Sequence, residues 1–311
     1  MSINLHHLRL FAAVAEHRSF TRAAASLNLS QPAISKSLSE LERQLSISLI
    51  DRTGKSVALT DAGETLYARA RELFGVERTA EQELRELRGM KRGVLRIAAS
   101  TTIATYMLAP VLGRFHVRRP NVRIQTTSAN TRTVLRLLLE FRVDVALVEG
   151  PVAHPRVEVL PWRDDELVVI ASPEHHLVSR QAVEVGALAS ETFLVREPGS
   201  GTREVSRRAL ALHGVRLANT MRVGGTEAIK QGVAAGLGLA IVSRAAAADQ
   251  LALNKLVVLP VPGLEITRTL ARIRLRNRAS TASARELELL LDESRTFASR
   301  GLPRGITDTP S

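Results

Sequence analysis

The sequence predicts two parts of different construction: a small all-α winged helix-turn-helix at the start and a two-lobed α/β domain after it, joined by one long helix. Three observations carry this. Short helical patterns with clear caps fill the first 60 residues and end in a turn between two apolar runs. A stripe of apolar residues at heptad spacing follows over residues 61–92. From residue 93 onward, strand-like runs alternate with helical patterns, which is how an α/β sheet is written. At 311 residues the chain exceeds one ordinary core, so more than one domain is expected.

In residues 1–60, Leu8, Phe11, Ala12 and Ala15 share one face of a first helix. Ser19 is placed to cap a second helix, "FTRAAASL". Asn28-Leu29-Ser30 breaks the chain, Ser30 caps a third helix, and Pro32 sits in its first turn, where its missing N–H costs little. Ile34, Leu38, Leu41 and Leu45 form one buried stripe of that helix. Thr53-Gly54-Lys55 then marks a turn, so "LIDRTGKSVALT" reads as a hairpin.

Residues 61–92 read as a linker helix and hinge. Asp61 and Glu64 have capping-box spacing. Leu66, Leu73, Ala80 and Leu87 recur every seventh residue, the pattern of a dimerisation seam. Seven basic and seven acidic residues fill the other faces. Residues 93–300 form the α/β domain, with a mainly parallel sheet expected. Lobe I is assigned about 93–150 and 266–297, and lobe II about 151–265, crossing near Gly150. A ligand cleft is expected between the lobes. Residues 301–311 read as a disordered tail.

Composition narrows the function. There are no cysteines, which excludes disulfides, thiolate zinc sites, iron–sulfur clusters and cysteine redox sensing. Aromatics are only 3%, so the cores must come from Leu, Val, Ile and Ala. The net charge is +12, yet residues 1–60 hold only seven basic against four acidic residues. Charge alone therefore does not identify a nucleic-acid interface. No signal-peptide pattern opens the chain, and the longest uncharged apolar run, residues 232–242, is too short to span a bilayer. A soluble cytoplasmic protein without a membrane partner is the expectation.

In a helix-turn-helix the start of the second helix of the motif enters the major groove. Here its first exposed positions are Gln31, Pro32 and Ser35, with Lys36 and Ser39 beside them. Gln can bond adenine N6 and N7 together, Ser can bond several bases, and the Pro ring can touch a thymine methyl. Lys36, Arg22, Arg52 and Lys55 are placed to meet phosphates. The segments "FAAVAEHRSFTRAAASL", "SQPAISKSLSELE", the basic wing and "LTDAG" resemble the N-terminal domain of LysR-type transcriptional regulators. The length and alternation of the remainder match that family's two-lobed, periplasmic-binding-protein-like effector domain, so the resemblance spans about residues 3–297.

The resemblance implies a homodimer or homotetramer bound to double-stranded promoter DNA and contacting RNA polymerase. It implies no cofactor, and a small-molecule effector between the lobes that alters DNA bending. It supports Gln31, Pro32 and Ser35 as base contacts and Arg52 as the wing arginine. Ile50 stands where the family favours an aromatic, and Lys55 where it favours Arg. "REPGSGTRE" and "EAIKQGVAAGLGLA" are most similar to regulators of CO2-fixation or sulfur-assimilation operons.

Ligands of such sheets sit at strand carboxyl ends beside helix N-termini. Four places qualify: Ser100, Thr101 and Thr102; Thr127 and Ser128; Ser200 and Thr202 with Arg196 and Arg203; and Thr226. Hydroxyls and arginines in this pattern point to an anion. Each Ser or Thr also serves as a plain cap, and Arg196 or Arg203 can pair with Glu197 or Glu204. "GSGTR" lacks the P-loop spacing. The histidines, including the adjacent pairs His6-His7 and His175-His176, offer no i, i+4 ligand face, so no metal site is expected. No nucleophile–base order points to an enzyme. Arg268, Arg272, Arg274, Arg276 and Arg278 fall on one side of a late strand. They read as a solvated face bridging acidic neighbours rather than a second nucleic-acid surface. A solute-binding protein of the same two-lobed fold is the alternative, disfavoured by the N-terminal motif.

Overall fold

The structure, a computed structural model, describes residues 3–51, 57–87, 93–276 and 278–298. The chain divides into two compact units, Met1–Glu81 and Gln82–Ser311.

The first unit packs α1 (Leu5–His17), α2 (Phe20–Leu27) and α3 (Gln31–Leu45) around one core. The caps lie where the short polar residues are. Ser19 Oγ accepts from Arg22 N–H at 3.3 Å, and Ser30 Oγ from Ala33 N–H at 3.4 Å. Asn28 ends α2 in the left-handed region (φ 54), a conformation Asn tolerates well. Ile34, Leu38 and Leu41 are fully buried against Leu8, Phe11 and Val14. Each such side chain contributes about 1.5–3 kcal/mol of burial.

The hairpin is present at its stem: β1 (Ile50–Asp51) pairs antiparallel with β2 (Ala58–Leu59). Its tip, with Arg52 and Lys55, lies outside the described residues. Ile50 is buried in the same core, so an aliphatic residue fills the place of the family's aromatic. Glu42 of α3 fixes the hairpin, accepting from Leu49 N–H at 2.8 Å and Ile50 N–H at 3.2 Å.

α4 spans Asp61–Leu87. Its cap is Thr60, not an Asp61–Glu64 box: Thr60 Oγ1 accepts from Gly63 N–H at 3.0 Å and donates to Ser48 O at 2.7 Å. The hydroxyl can do both at once, which a box centred one residue later cannot. Asp61 and Glu64 remain in the first turn, where their charge suits the helix dipole.

In the second unit, β3 (Gly93–Ser100) pairs parallel with β4 (Val122–Ala129) and β5 (Val145–Val148). α5 (Thr101–Tyr106), α6 (Ala109–Arg118) and α7 (Thr131–Leu139) connect them. The rest of the sheet differs from the expected parallel arrangement. β6 is a single 15-residue strand, Val157–Ala171, and β11 (Ile266–Leu275) runs antiparallel to it throughout. Both cross from one lobe to the other. Sequence patterning registers only the second half of β6, because Pro161 and the charges at 163–166 interrupt the first. Trp162 sits at the register shift in this ladder and is buried in the lobe I core, its Nε1–H donating to Leu291 O at 2.9 Å. The change of lobe therefore falls inside β6 and β11 rather than at Gly150.

Lobe II adds β7 (Thr192–Val195), α8 (Gly201–Leu212), β8 (Asn219–Arg222), α9 (Thr226–Ala234), β9 (Ala240–Ser243), α10 (Arg244–Ala252) and β10 (Val257–Val258). β9 and β10 pair antiparallel with the end of β6. β7 and β8 form a parallel pair bridged to the start of β9 at Phe193–Leu239. α11 (Ala282–Ala298) returns to cover lobe I, where Leu287, Leu290 and Leu291 are buried. No helix among the described residues is long and apolar enough to cross a membrane.

Candidate functional site

In the first unit the cap at Ser30 fixes which side chains α3 leaves outward. Gln31, Pro32, Lys36 and Ser39 are exposed and Ser35 is half-buried, while Ile34, Ser37 and Leu38 face the core. Positions 31, 35 and 39 share one helical stripe, so Gln31, Ser35 and Ser39 form a row of short polar groups. Arg22 is exposed, but its Nη2 donates to His17 O at 2.6 Å and so ties down the end of α1. That carbonyl is a further task the sequence reading of Arg22 did not anticipate.

On α4, Leu66 packs on the domain core with Ala70 and Phe74. Leu73 is exposed, as is Ala80, and so are Val76 and Leu84, the last two at 61% and 60%. The expected heptad thus divides: its first member is spent inside the domain, and the later turns leave an uncovered apolar stripe. The Leu87 side chain lies outside the described residues.

Between the lobes the structure gathers several of the expected residues around one guanidinium. Arg196, at the end of β7, is 5% exposed. Its Nη1 donates to Thr226 Oγ1 at 3.1 Å and its Nη2 to Thr101 Oγ1 at 3.2 Å, joining lobe II to lobe I. Glu197 accepts from Nε at 2.9 Å and from Nη2 at 3.0 Å, and Asn130 Nδ2 of lobe I donates to the same carboxylate at 3.1 Å. Burial alone would raise the Glu197 carboxyl; the hydrogen bonds from Arg196 and Asn130 outweigh it and hold the group below its ordinary value. Among the described residues Arg203 pairs with no carboxylate but donates from Nη1 to Arg196 O at 2.9 Å, while Glu204 pairs outward with Arg207 and Arg208.

Ser100 and Thr102 are fully buried at the start of α5. Ser100 Oγ does not cap the helix; it donates to Leu147 O at 3.3 Å. Ser200 does cap α8, accepting from Arg203 N–H at 3.4 Å. Thr127 and Ser128 are exposed near the end of β4 and are not bonded to the Arg196 group by any described contact. The residue that reaches from that strand end is Asn130, which the sequence reading missed. An Asn opening a helix looks like a cap, and it is one, accepting from Thr133 N–H at 3.0 Å; its amide is the part that faces the cleft.

Two further clusters escaped the sequence. Thr202 Oγ1 accepts from Arg268 Nη1 at 2.8 Å and donates to Glu149 Oε1 at 3.3 Å. Arg268 also bonds Asp165 Oδ2 through Nε at 2.8 Å, and Ser243 Oγ donates to Asp165 Oδ1 at 2.6 Å. All of these groups are buried at the crossing of the two lobes. The expected solvated arginine face is therefore corrected. Only Arg268, Arg272 and Arg274 of that row lie on β11, which ends at Leu275, before Arg276 and Arg278; Arg268 is covered by this cluster, Arg272 by α11, where it meets Asp292 at 3.0 Å, and Arg278 bonds Asp144 at 3.2 Å. Arg274 remains outward and bridges Glu158 at 2.7 Å.

At the other side of the cleft, the Tyr106 hydroxyl of lobe I donates to Glu227 Oε2 of lobe II at 2.6 Å, and buried Lys230 meets the same carboxylate at 2.9 Å. Burial first, and then this hydrogen bond, raise the Tyr106 phenol. The lobes also touch backbone to backbone: a Cβ on Gly201 would stand 2.6 Å from Gly150 N, so only glycine fits there.

The histidines are less scattered than they read. His175 and His176 stack at 4.4 Å, and Glu191 completes a group whose potential ligand atoms lie within 4.8 Å of one another. Leu177 N–H points to His175 Nδ1 at 3.3 Å, which places that ring's proton on Nε2, towards Glu191.

Residues 88–295 match the family description "LysR substrate binding domain", and residues 5–64 match "Bacterial regulatory helix-turn-helix protein, lysR family". A RuBisCO operon transcriptional regulator of Allochromatium vinosum is 36% identical over 94% of this chain and 97% of its own length. Among solved structures, a full-length OxyR variant of Pseudomonas aeruginosa superposes with a TM-score of 0.71 at 24% identity, covering 95% of each chain. The regulatory domain of Synechocystis CcmR, solved in complex with 2-PG, has a TM-score of 0.60 at 26% identity, covering 66% of this chain and 98% of that one.

Proposed function

Since the chain belongs to the LysR family of DNA-binding transcriptional regulators, with a helix-turn-helix domain and an effector-binding domain, we propose that a small anionic metabolite held at Arg196 between the lobes controls how it binds and bends promoter DNA. The observation that carries this is the buried Arg196 guanidinium, which joins both lobes through Thr101 and Thr226 and already holds a carboxylate. A charged group so sheltered interacts strongly with an anion. Ser100, Thr102 and Thr202 start the neighbouring helices; Ser100 Oγ and Thr202 Oγ1 would have to turn from Leu147 O and Glu149 to meet a ligand, and Thr127 and Ser128 are exposed near the end of β4. The 2-PG complex of the Synechocystis regulatory domain supports a small-molecule effector in this fold.

On the DNA side, Gln31, Pro32 and Ser35 read base edges, Ser39 lies next along the same stripe, and Lys36 and Arg22, with Arg52 and Lys55 of the wing, meet phosphates. The exposed stripe of Leu73, Val76, Ala80 and Leu84 supports pairing of two chains through α4, and pairs of such dimers give the tetramer. The working protein is cytoplasmic and contacts RNA polymerase at its promoters. It needs no cofactor and catalyses nothing; its relatives are regulators.

Footprinting on the DNA upstream of its own gene, at stated salt, with and without small carboxylates, phosphates and sulfur anions, tests this reading. Protection of an interrupted inverted repeat that shifts with one anion is expected. Binding that is salt-sensitive but indifferent to sequence would overturn it.

A further inference from the structure

A cavity of about 490 Å3 lies inside lobe II, between α8 and the strands β7, β8 and β9. Its size is within the range of small-molecule sites. No described residue of lobe I lines it, although Arg196, Thr202 and Thr226, at the meeting of the lobes, form one of its edges. Its walls are apolar, built from Phe193, Val195, Leu210, Leu217, Ile229 and Ile241. Apolar side chains facing a void forgo their packing contacts, so a space this large favours an occupant.

The polar part of the lining is one-sided. It contains four arginines, Arg196, Arg203, Arg207 and Arg216, and no carboxylate. Three of these are engaged: Arg196 with Glu197, Arg203 with Arg196 O, and Arg207 with Glu204. Arg216 is exposed and has no ion-pair partner among the described residues. Ser206 Oγ, on the same lining, is shielded from solvent and makes no hydrogen bond.

We propose that this cavity is a second ligand site, for an organic monoanion with an apolar body, such as a medium-chain carboxylate, its head group at Arg216. Three of the residues that line it, Arg196, Thr202 and Thr226, also hold the bonds at the meeting of the lobes. Occupancy therefore acts on lobe closure from inside lobe II, whatever occupies the cleft itself.

Calorimetric titration of the full chain tests this with octanoate, octan-1-ol and acetate as probes. Octanoate is expected to bind about tenfold more tightly than octan-1-ol, the scale of one charge-assisted contact, and acetate not to bind. Arg216→Gln should remove that advantage and leave octan-1-ol unchanged. Ser206→Phe should abolish both by filling the space. Absence of octanoate binding, or equal affinity in Arg216→Gln, overturns the proposal even if Ser206→Phe fails to fold.

Discussion

Single side chains in this protein take opposite meanings from their surroundings. Gln31 and Lys36 project from the same end of α3, yet the proposed function gives one to bases and the other to phosphates. Gln31→Ala should cost about 1–3 kcal/mol at one base pair of each half-site and relax the preference there. Lys36→Ala should weaken all sequences alike and lower the salt slope by about 1. Quantitative binding to a set of single-base operator variants at several salt concentrations separates the two; equal loss on every sequence in both variants would refute the division. Arg268 is the contrasting case. It reads as one of a row of surface arginines and is instead the one described cation paired with two buried carboxylates, Glu149 and Asp165. Arg268→Met leaves those charges uncompensated and should cost about 3–5 kcal/mol, measured by chemical denaturation. A loss below about 1 kcal/mol would show that the cluster does not depend on its arginine.

The elements divide by how local their causes are. α1 to α3 were legible because Ser19, Asn28, Ser30 and Pro32 act on their own neighbours, and the structure uses them as read, whereas Thr60 takes the α4 cap assigned to Asp61. The hydroxyls of Thr101, Thr202 and Thr226 were legible as helix starts after strands. Asn130, Tyr106 and Glu227 were not, because each acquires its role from a partner 67 to 121 residues away. The first half of β6 was hidden for a similar reason: Trp162 and Pro161 only make sense opposite β11. α4 shows both behaviours, with a heptad visible in sequence and a division of labour visible only in space. Leu66 is committed to the domain core, so the proposed pairing falls to the exposed turns. Leu84→Asp should therefore convert the assembly towards monomers in analytical ultracentrifugation while leaving the thermal midpoint of the monomeric form within a few degrees. Leu38→Ala, in contrast, should destabilise the small domain's core by about 2–5 kcal/mol without touching the stripe.

At the scale of the whole effector domain, the two lobes are fastened by charge. Glu197 has a depressed pKa in the folded state, so its contribution is present above its unfolded value and lost as pH falls through the folded one. Lobe closure should thus be flat across neutral pH and fail only below the usual carboxylate range, near about pH 4 and under. Hydrogen exchange of the segments around Asn130 and Gly199 against pH checks this; Glu197→Gln should show the acid pattern at every pH. A fastening that does not titrate is the contact of Gly150 with Gly201, where neither residue has a side chain to spare. Every missense change of either codon adds one. Such a wedge needs no metabolite to hold the lobes apart. Selection for mutants that ignore their signal should therefore return these two codons again and again, alleles frozen in one regulatory state while their grip on DNA stays intact.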